Sequence, residues 1–155
     1  MTSLVEVTRR RRRKARGGDA RRLAKVIEQT LELEGSEPRE VSLLLTDDAE
    51  IQGLNAQYAS KDRPTDVLAF AYDEGAGPRG PLGDIIVSVE TAARQAMSRR
   101  VTLDRELELL VVHGALHLLG HDHSELEEAR RMRSRTRSIR RALARRLPLA
   151  HVKVL

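Results

Sequence analysis

The chain has 155 residues, of which 28 are basic and 23 acidic, with a formal net charge of +5 and no cysteine. This length predicts a single domain over residues 1–155, and the lack of cysteine excludes disulfides and thiolate-rich zinc sites. No apolar run approaches the roughly 20 residues that cross a bilayer, and the N-terminal arginines lack the apolar stretch of a secretory signal. We therefore expect a cytoplasmic, monomeric protein.

The basic residues are concentrated at the two ends of the chain. Residues 9–16 include seven of them and residues 130–146 include nine, and neither segment contains an acidic residue. The part between them is acidic in balance, so the pattern fits binding to RNA or to the ribosome surface. The candidate RNA contacts are Arg9, Arg10, Arg11, Arg12, Arg13, Arg133, Arg137, Arg140 and Arg141. The alternative is that these segments are a solvated tail and a solvated helix face.

Aromatic residues are scarce. The chain has only Tyr58, Phe70 and Tyr72. This scarcity argues against a base-stacking platform of the kind that RNA-recognition modules build from aromatic side chains. We expect any RNA to be held through its backbone.

Hydrophobic patterning predicts the order of the elements along the chain. Short apolar and β-branched runs predict strands at residues 4–7, 41–45, 66–72 and 84–89. Apolar stripes with capping residues predict helices from the Asp19 cap to about residue 35 and at 48–58, 90–100, 104–119 and 124–147. This order predicts an α+β domain, in which a small mixed sheet of about four strands is covered by about five helices.

Four of the five histidines lie in one short apolar segment. On a helix, His113 and His117 are one turn apart on one face, a spacing at which two imidazoles can bind one ion. Gly120 is expected to end this helix and let the chain turn back, which makes His123 the better third ligand. On a continued helix, His121 would lie about 12 Å along the axis from His113. Three imidazoles without an obvious fourth protein ligand indicate an open, catalytic zinc site at the end of a central helix.

Two questions about this site stay open at the level of sequence. Asp122 could orient a ligand imidazole, or it could be an ordinary turn residue after a glycine. We expect one Zn²⁺ per chain, although imidazole sites also accept nickel, copper and iron.

The histidine segment, residues 113–123, resembles the H-G-x-L-H-L-x-G-x-D-H signature of the YbeY endoribonucleases, which are bacterial ribosomal RNA maturation factors. Two further blocks are similar to those of the family and occur in the expected order, namely Leu54-Asn55 with residues 61–70, and Gly83-Asp84-Ile85. The resemblance covers about residues 41–128.

The resemblance implies the family's α+β fold and zinc bound by His113, His117 and His123. It also implies an RNA substrate, especially the 3′ end of the 16S precursor in the small ribosomal subunit.

The sequence departs from the family pattern at two positions. The family usually has an arginine, implicated in activity, at the position of Ala59, and Lys61 or Arg63 could partly replace it as a catalytic phosphate contact. At His121 the family commonly has an aromatic residue, and we expect this histidine to pack there or to form a local hydrogen bond.

The leading hypothesis is a zinc-dependent, single-strand-preferring endoribonuclease in 16S 3′-end maturation and ribosome quality control. A catalytically weak ribosome-assembly factor with a structural zinc site is the alternative, and Ala59 favours it. A zinc peptidase fits less well, because Gly114 stands where that class has its general base, a glutamate.

Overall fold

The computed structural model describes residues 4–59, 65–72, 80–121 and 125–148. Within these residues the chain forms four strands, five α-helices and one short 3-10 helix, Arg13–Ala15. The strands are β1 (Val5–Arg9), β2 (Val41–Thr46), β3 (Val67–Ala71) and β4 (Gly83–Ser88). The helices are α1 (Ala20–Leu33), α2 (Asp48–Ala59), α3 (Val89–Arg99), α4 (Leu103–Leu118) and α5 (Leu126–Arg146). The predicted α+β architecture of four strands and five helices is confirmed.

The four strands form one mixed sheet in the order β1-β2-β4-β3. The first three pair in parallel, and β3 runs antiparallel to β4 along one edge, with Phe70 opposite Asp84. Because side chains alternate along a strand, every second residue faces the same side of the sheet. Leu43, Leu45 and Ile85 face the main core and are at most 1% exposed.

Helix α4 is the centre of this core. It packs against α1, α3, α5, β3 and β4. Nine of its sixteen residues are buried, which matches the apolar pattern of the sequence. Helix α5 covers α4 and α1, while α2 lies against β4 and α3. A helix surrounded in this way is a rigid support for side chains that project from it.

Several element ends differ from the sequence prediction. Strand β1 continues to Arg9, because pairing with β2 extends to Leu45 and outweighs the low strand preference of a basic run. Helix α4 is capped by Thr102, whose hydroxyl accepts a hydrogen bond from the Arg105 backbone N–H at 3.2 Å. Ser124, the predicted cap of the last helix, lies outside the described residues.

No helix among the described residues is long and apolar enough to cross a membrane.

Candidate active site and nucleic-acid surfaces

Helix α4 carries His113 and His117 one turn apart near its C-terminal end. Both side chains are partly exposed, whereas Gly114, Ala115 and Leu116 between them are buried. The two imidazoles therefore reach the surface from a helix that is otherwise fixed in the core. Imidazole nitrogen is a preferred donor for zinc, so this pair fits two ligands of the predicted site.

Gly114 brings this part of α4 unusually close to the sheet. A Cβ atom placed there would lie 2.7 Å from Cγ2 of Ile85, in the middle of β4. No larger side chain fits between helix and strand without moving one of them. Two observations therefore argue against a zinc peptidase. The chain lacks the glutamate base at this position, and a glutamate side chain there would clash with the contact between helix and sheet.

The chain turns sharply after α4, as the glycine predicted. Gly120 has φ +96°, a conformation that favours glycine. Its N–H donates to the His117 carbonyl at 3.0 Å, and the His121 N–H donates to the Leu116 carbonyl at 3.0 Å. This pair of bonds is the Schellman arrangement that closes a helix C-terminus.

The side chain of His121 contacts the C-terminal end of α1. Its Nε2 lies 3.2 Å from Oε2 of Glu34, and Arg135 of α5 binds the other oxygen of the same carboxylate at 2.7 Å through its Nε. His121 thus forms a hydrogen bond, but the expectation that this bond is local was wrong, because Glu34 is 87 residues away in sequence. The residue helps to join α1, α5 and the end of α4.

The other predicted site residues lie outside the described part of the chain. These are the third ligand His123, its neighbour Asp122, and the two loop cations Lys61 and Arg63. Ala59 is the last residue of α2. Among residues 4–59, 65–72, 80–121 and 125–148, no group of three or more possible ligands gathers around one point, so the metal site stays a prediction.

The N-terminal basic segment is anchored to the protein through several side chains. Arg9 donates to the backbone carbonyls of Ala15 at 2.8 Å, Gly17 at 2.6 Å and Gly18 at 3.1 Å. It thereby closes a loop that contains most of the segment. Arg11 and Arg13 are exposed and pair with no described carboxylate. The predicted RNA contact of this segment stays a prediction.

The neighbouring cations form ion pairs with acidic residues at the start of α2 and α3. Arg10 donates to Glu50 at 2.9 Å, and Arg12 lies 3.4 Å from Asp47. Burial alone would raise the pKa of Glu50, but hydrogen bonds from Thr46 and Arg10 and the nearby positive charges hold that pKa below its ordinary value. The basic run is thus partly neutralised by the acidic body of the protein.

The C-terminal arginines have a different setting. A groove of about 530 Å³ runs between α4 and α5, lined on the α5 side by Arg137, Arg140 and Arg141. Arg22 and Arg105 line the same groove from the N-terminal ends of α1 and α4. Its described lining includes one carboxylate, Glu108, which pairs with Arg22. This basic groove thus has a strong excess of positive charge.

The second face of the sheet, beside α2, holds a cleft that sequence reasoning missed. The cleft measures about 560 Å³ and is lined by all three aromatic residues of the chain, Tyr58, Phe70 and Tyr72. Tyr58 and Phe70 are in ring contact, with centroids 5.4 Å apart. The sequence did contain one indication of this cleft. Phe70 and Tyr72 are two residues apart in the predicted strand 66–72, so their side chains are expected on the same side of the sheet.

Polar groups complete the lining of this aromatic cleft. The Tyr72 hydroxyl donates to Asp84 on the adjacent strand at 2.6 Å. This hydrogen bond, together with burial and the negative charge of Asp84, raises the pKa of Tyr72. Ser42 and the Arg10–Glu50 pair line other parts of the cleft. The cleft therefore combines flat apolar surfaces with hydrogen-bonding groups.

A family of RNA-cleaving hydrolases is the class of protein that this chain matches. The model of the Endoribonuclease YbeY family matches residues 8–144, and the chain belongs to this family. Endoribonuclease YbeY of Pelotomaculum thermopropionicum is 45% identical over 123 residues, which are 76% of this chain and 81% of that protein.

Endoribonuclease YbeY of Heliobacterium modesticaldum is 49% identical over 109 residues, which are 63% of this chain and 66% of that protein. This chain thus spans about two thirds of the length of that relative. The solution structure of TM1509 from Thermotoga maritima is 23% identical, with a TM-score of 0.55 over 97% of this chain and 99% of that one. This likeness supports the fold.

Proposed function

We propose that the chain is a single-domain, zinc-dependent endoribonuclease that cuts single-stranded precursor rRNA in 16S 3′-end maturation and ribosome quality control. We place it in the cytoplasm, as a monomer that acts on the small ribosomal subunit. Family membership supports RNA cleavage. The observation that carries the metal part of the proposal is the pair His113 and His117, presented one turn apart at the surface of a buried helix.

In this proposal His113, His117 and His123 hold the metal, and Gly120 provides the turn that returns the chain towards it. When bound, zinc supplies Lewis-acid polarisation of the phosphate or activation of water. The core around α4 fixes the two helical imidazoles in place, so that little reorganisation is needed when a ligand binds. Lys61 and Arg63 would stabilise charge that grows on the phosphoryl oxygens.

His121 is the matched control for the three proposed metal ligands. We expect His113→Ala, His117→Ala and His123→Ala each to lose the metal and RNA cleavage, whereas His121→Ala, which removes the contact with Glu34, keeps both. Elemental analysis of each purified variant and cleavage of a labelled single-stranded RNA measure these effects. A His121→Ala protein without metal, beside a His123→Ala protein with full occupancy, would show that the third ligand was chosen wrongly.

The second candidate function is that of a ribosome-assembly factor which binds RNA but cleaves it weakly. Ala59 favours it, because one well-placed charge donor is typically worth about 10² to 10³ in rate. Single-turnover cleavage by Ala59→Arg decides between the two functions. A large gain would indicate that the natural chain is a weakened nuclease, and Lys61→Ala and Arg63→Ala should then be more damaging in the natural chain than when combined with Ala59→Arg.

If Ala59→Arg, Lys61→Ala and Arg63→Ala all leave the rate of RNA cleavage unchanged, this loop is not part of the active site. A casein digest tests the remaining peptidase alternative. We expect no casein cleavage, because Gly114 is packed against Ile85 and the position carries no base.

A further inference from the structure

The aromatic cleft lies on the opposite side of the sheet from α4 and its histidines. Phe70 and Tyr72 come from the edge strand β3 and the residue that follows it, and Tyr58 comes from the end of α2. Tyr58 is 62% exposed and Tyr72 is 47% exposed, so the faces of both rings are available to a ligand. Two of the three aromatic rings of the chain are thus exposed at the opening of this cleft.

We infer that this cleft binds one unpaired RNA base, stacked on the rings of Tyr58 and Tyr72, at a position away from the bond that is cleaved. The inference rests on the proposed function, since it requires RNA as the ligand. It differs from the expectation that RNA is held by its backbone alone.

The size and chemistry of the cleft fit a nucleobase. Its volume of about 560 Å³ falls within the range of roughly 300 to 1,000 Å³ typical of small-molecule pockets. Aromatic faces stack on any base, and Asp84 offers a carboxylate beside Tyr72 that can accept a hydrogen bond from an exocyclic amine. Ser42 adds a hydroxyl that can both donate and accept. These groups favour an amino-bearing base over uracil.

The route of the strand follows from the position of β3. This strand borders the cleft and also packs against α4 on the other side of the sheet. An RNA strand that passes over this edge can therefore occupy the cleft while another of its nucleotides lies near the histidines. Binding in the cleft contributes equally before and during the reaction, so its loss should raise KM and leave kcat unchanged.

The test compares two labelled, nuclease-resistant oligonucleotides with the same number of phosphates, one with bases and one abasic throughout. Fluorescence anisotropy with the full, metal-loaded chain measures both affinities. Stacking of one base is worth about 1 to 3 kcal/mol, so we expect the wild type to prefer the base-bearing strand by roughly 5- to 140-fold. Tyr72→Leu should remove most of this preference, whereas Tyr72→Phe keeps the ring and the preference.

Met97→Ala is the matched control, because Met97 is an exposed apolar side chain on α3, 83% exposed, and does not line the cleft. Equal weakening of both oligonucleotides by Tyr72→Leu, or no weakening of either, would overturn the inference while leaving RNA binding intact. A wild type that binds neither strand would overturn the proposed function as well. Cleavage kinetics give the second readout, in which a fall of kcat with unchanged KM would place Tyr72 in the catalytic centre instead.

Discussion

The two arginine-rich regions have similar compositions but differ in how their arginines are placed in the fold. In the N-terminal region, Arg9 binds three backbone carbonyls and Arg10 pairs with Glu50. In the C-terminal region, Arg137 and Arg141 line an open groove among further arginines. In the first region the side chains largely hold the fold together. In the second, Arg131, Arg135 and Arg146 pair with glutamates, and the arginines that line the groove keep a strong excess of positive charge.

A run of arginines therefore does not by itself define a binding surface. Its role depends on whether the fold brings carboxylates and carbonyls to it. The N-terminal run follows a strand that ends beside the acidic first turn of α2, which contains Asp48 and Glu50. The C-terminal run lies on a helix whose first turn alone is acidic. We therefore expect substitutions in the first region to affect stability and those in the second to affect RNA affinity.

The largest effect is expected for Arg9→Met. Hydrogen bonds to a charged group contribute about 1.5 to 3 kcal/mol, and this change leaves three carbonyls without their donor, so we expect a loss of about 2 to 3 kcal/mol in the free energy of unfolding. Urea titration measures the loss. Arg11→Met, at an exposed site in the same run, should change stability by less than about 0.5 kcal/mol. Equal losses in the two variants would show that the three hydrogen bonds of Arg9 do not stabilise the fold.

The next largest effect is expected on the salt dependence of RNA affinity. Arg137→Gln with Arg141→Gln should lower the slope of log affinity against log salt by about 1.4, at roughly 0.7 for each single-strand phosphate contact. Arg11→Gln with Arg13→Gln makes the same change in net charge in the N-terminal run and should have a smaller effect. Binding titrations at several salt concentrations give both slopes. If the Arg137/Arg141 variant keeps the wild-type slope and the Arg11/Arg13 variant has a reduced one, the N-terminal region, and not the groove, contacts the RNA.

The smallest effect is a dependence of stability on pH. Because the folded pKa of Glu50 is lowered from about 4.5, its contribution is present above that pH and is lost as the pH falls through the folded pKa. Arg10→Gln should therefore destabilise the protein at neutral pH by less than about 1 kcal/mol, since Arg10 is half exposed, and the difference from wild type should vanish in acid.

Unfolding curves between neutral and acidic pH check this dependence. Arg133→Gln is the control, because this exposed side chain pairs with no described carboxylate. A difference between wild type and Arg10→Gln that does not depend on pH would mean that Glu50 is not the partner that matters.

The elements could be predicted from sequence because periodicity and caps are local. Asp19 caps α1 as expected, with its carboxylate accepting from the Arg22 backbone N–H. The alternating apolar residues of β2 and β4 likewise face the core. The His113–His117 pair could be found for the same reason, since its spacing belongs to a single helix.

What the sequence did not reveal depends on contacts between distant segments. The partner of His121 is Glu34, and the anchoring of Arg9 depends on a turn beyond its own strand. The aromatic cleft was missed because counting aromatic residues gives no information on where they meet. No periodic pattern encodes such pairings, which arise only when the sheet and helices assemble.

The meeting of all three aromatic rings at one cleft also determines what spectroscopy can see. The chain has no tryptophan, so its near-ultraviolet circular dichroism and intrinsic fluorescence come from Tyr58, Phe70 and Tyr72 alone. These signals report on the sheet face beside α2, and α4 and α5 are optically silent. A local loosening of that face would look like complete loss of tertiary structure, while opening of the histidine helix would leave the spectra unchanged. Amide hydrogen exchange along α4 is the observable that separates the two events.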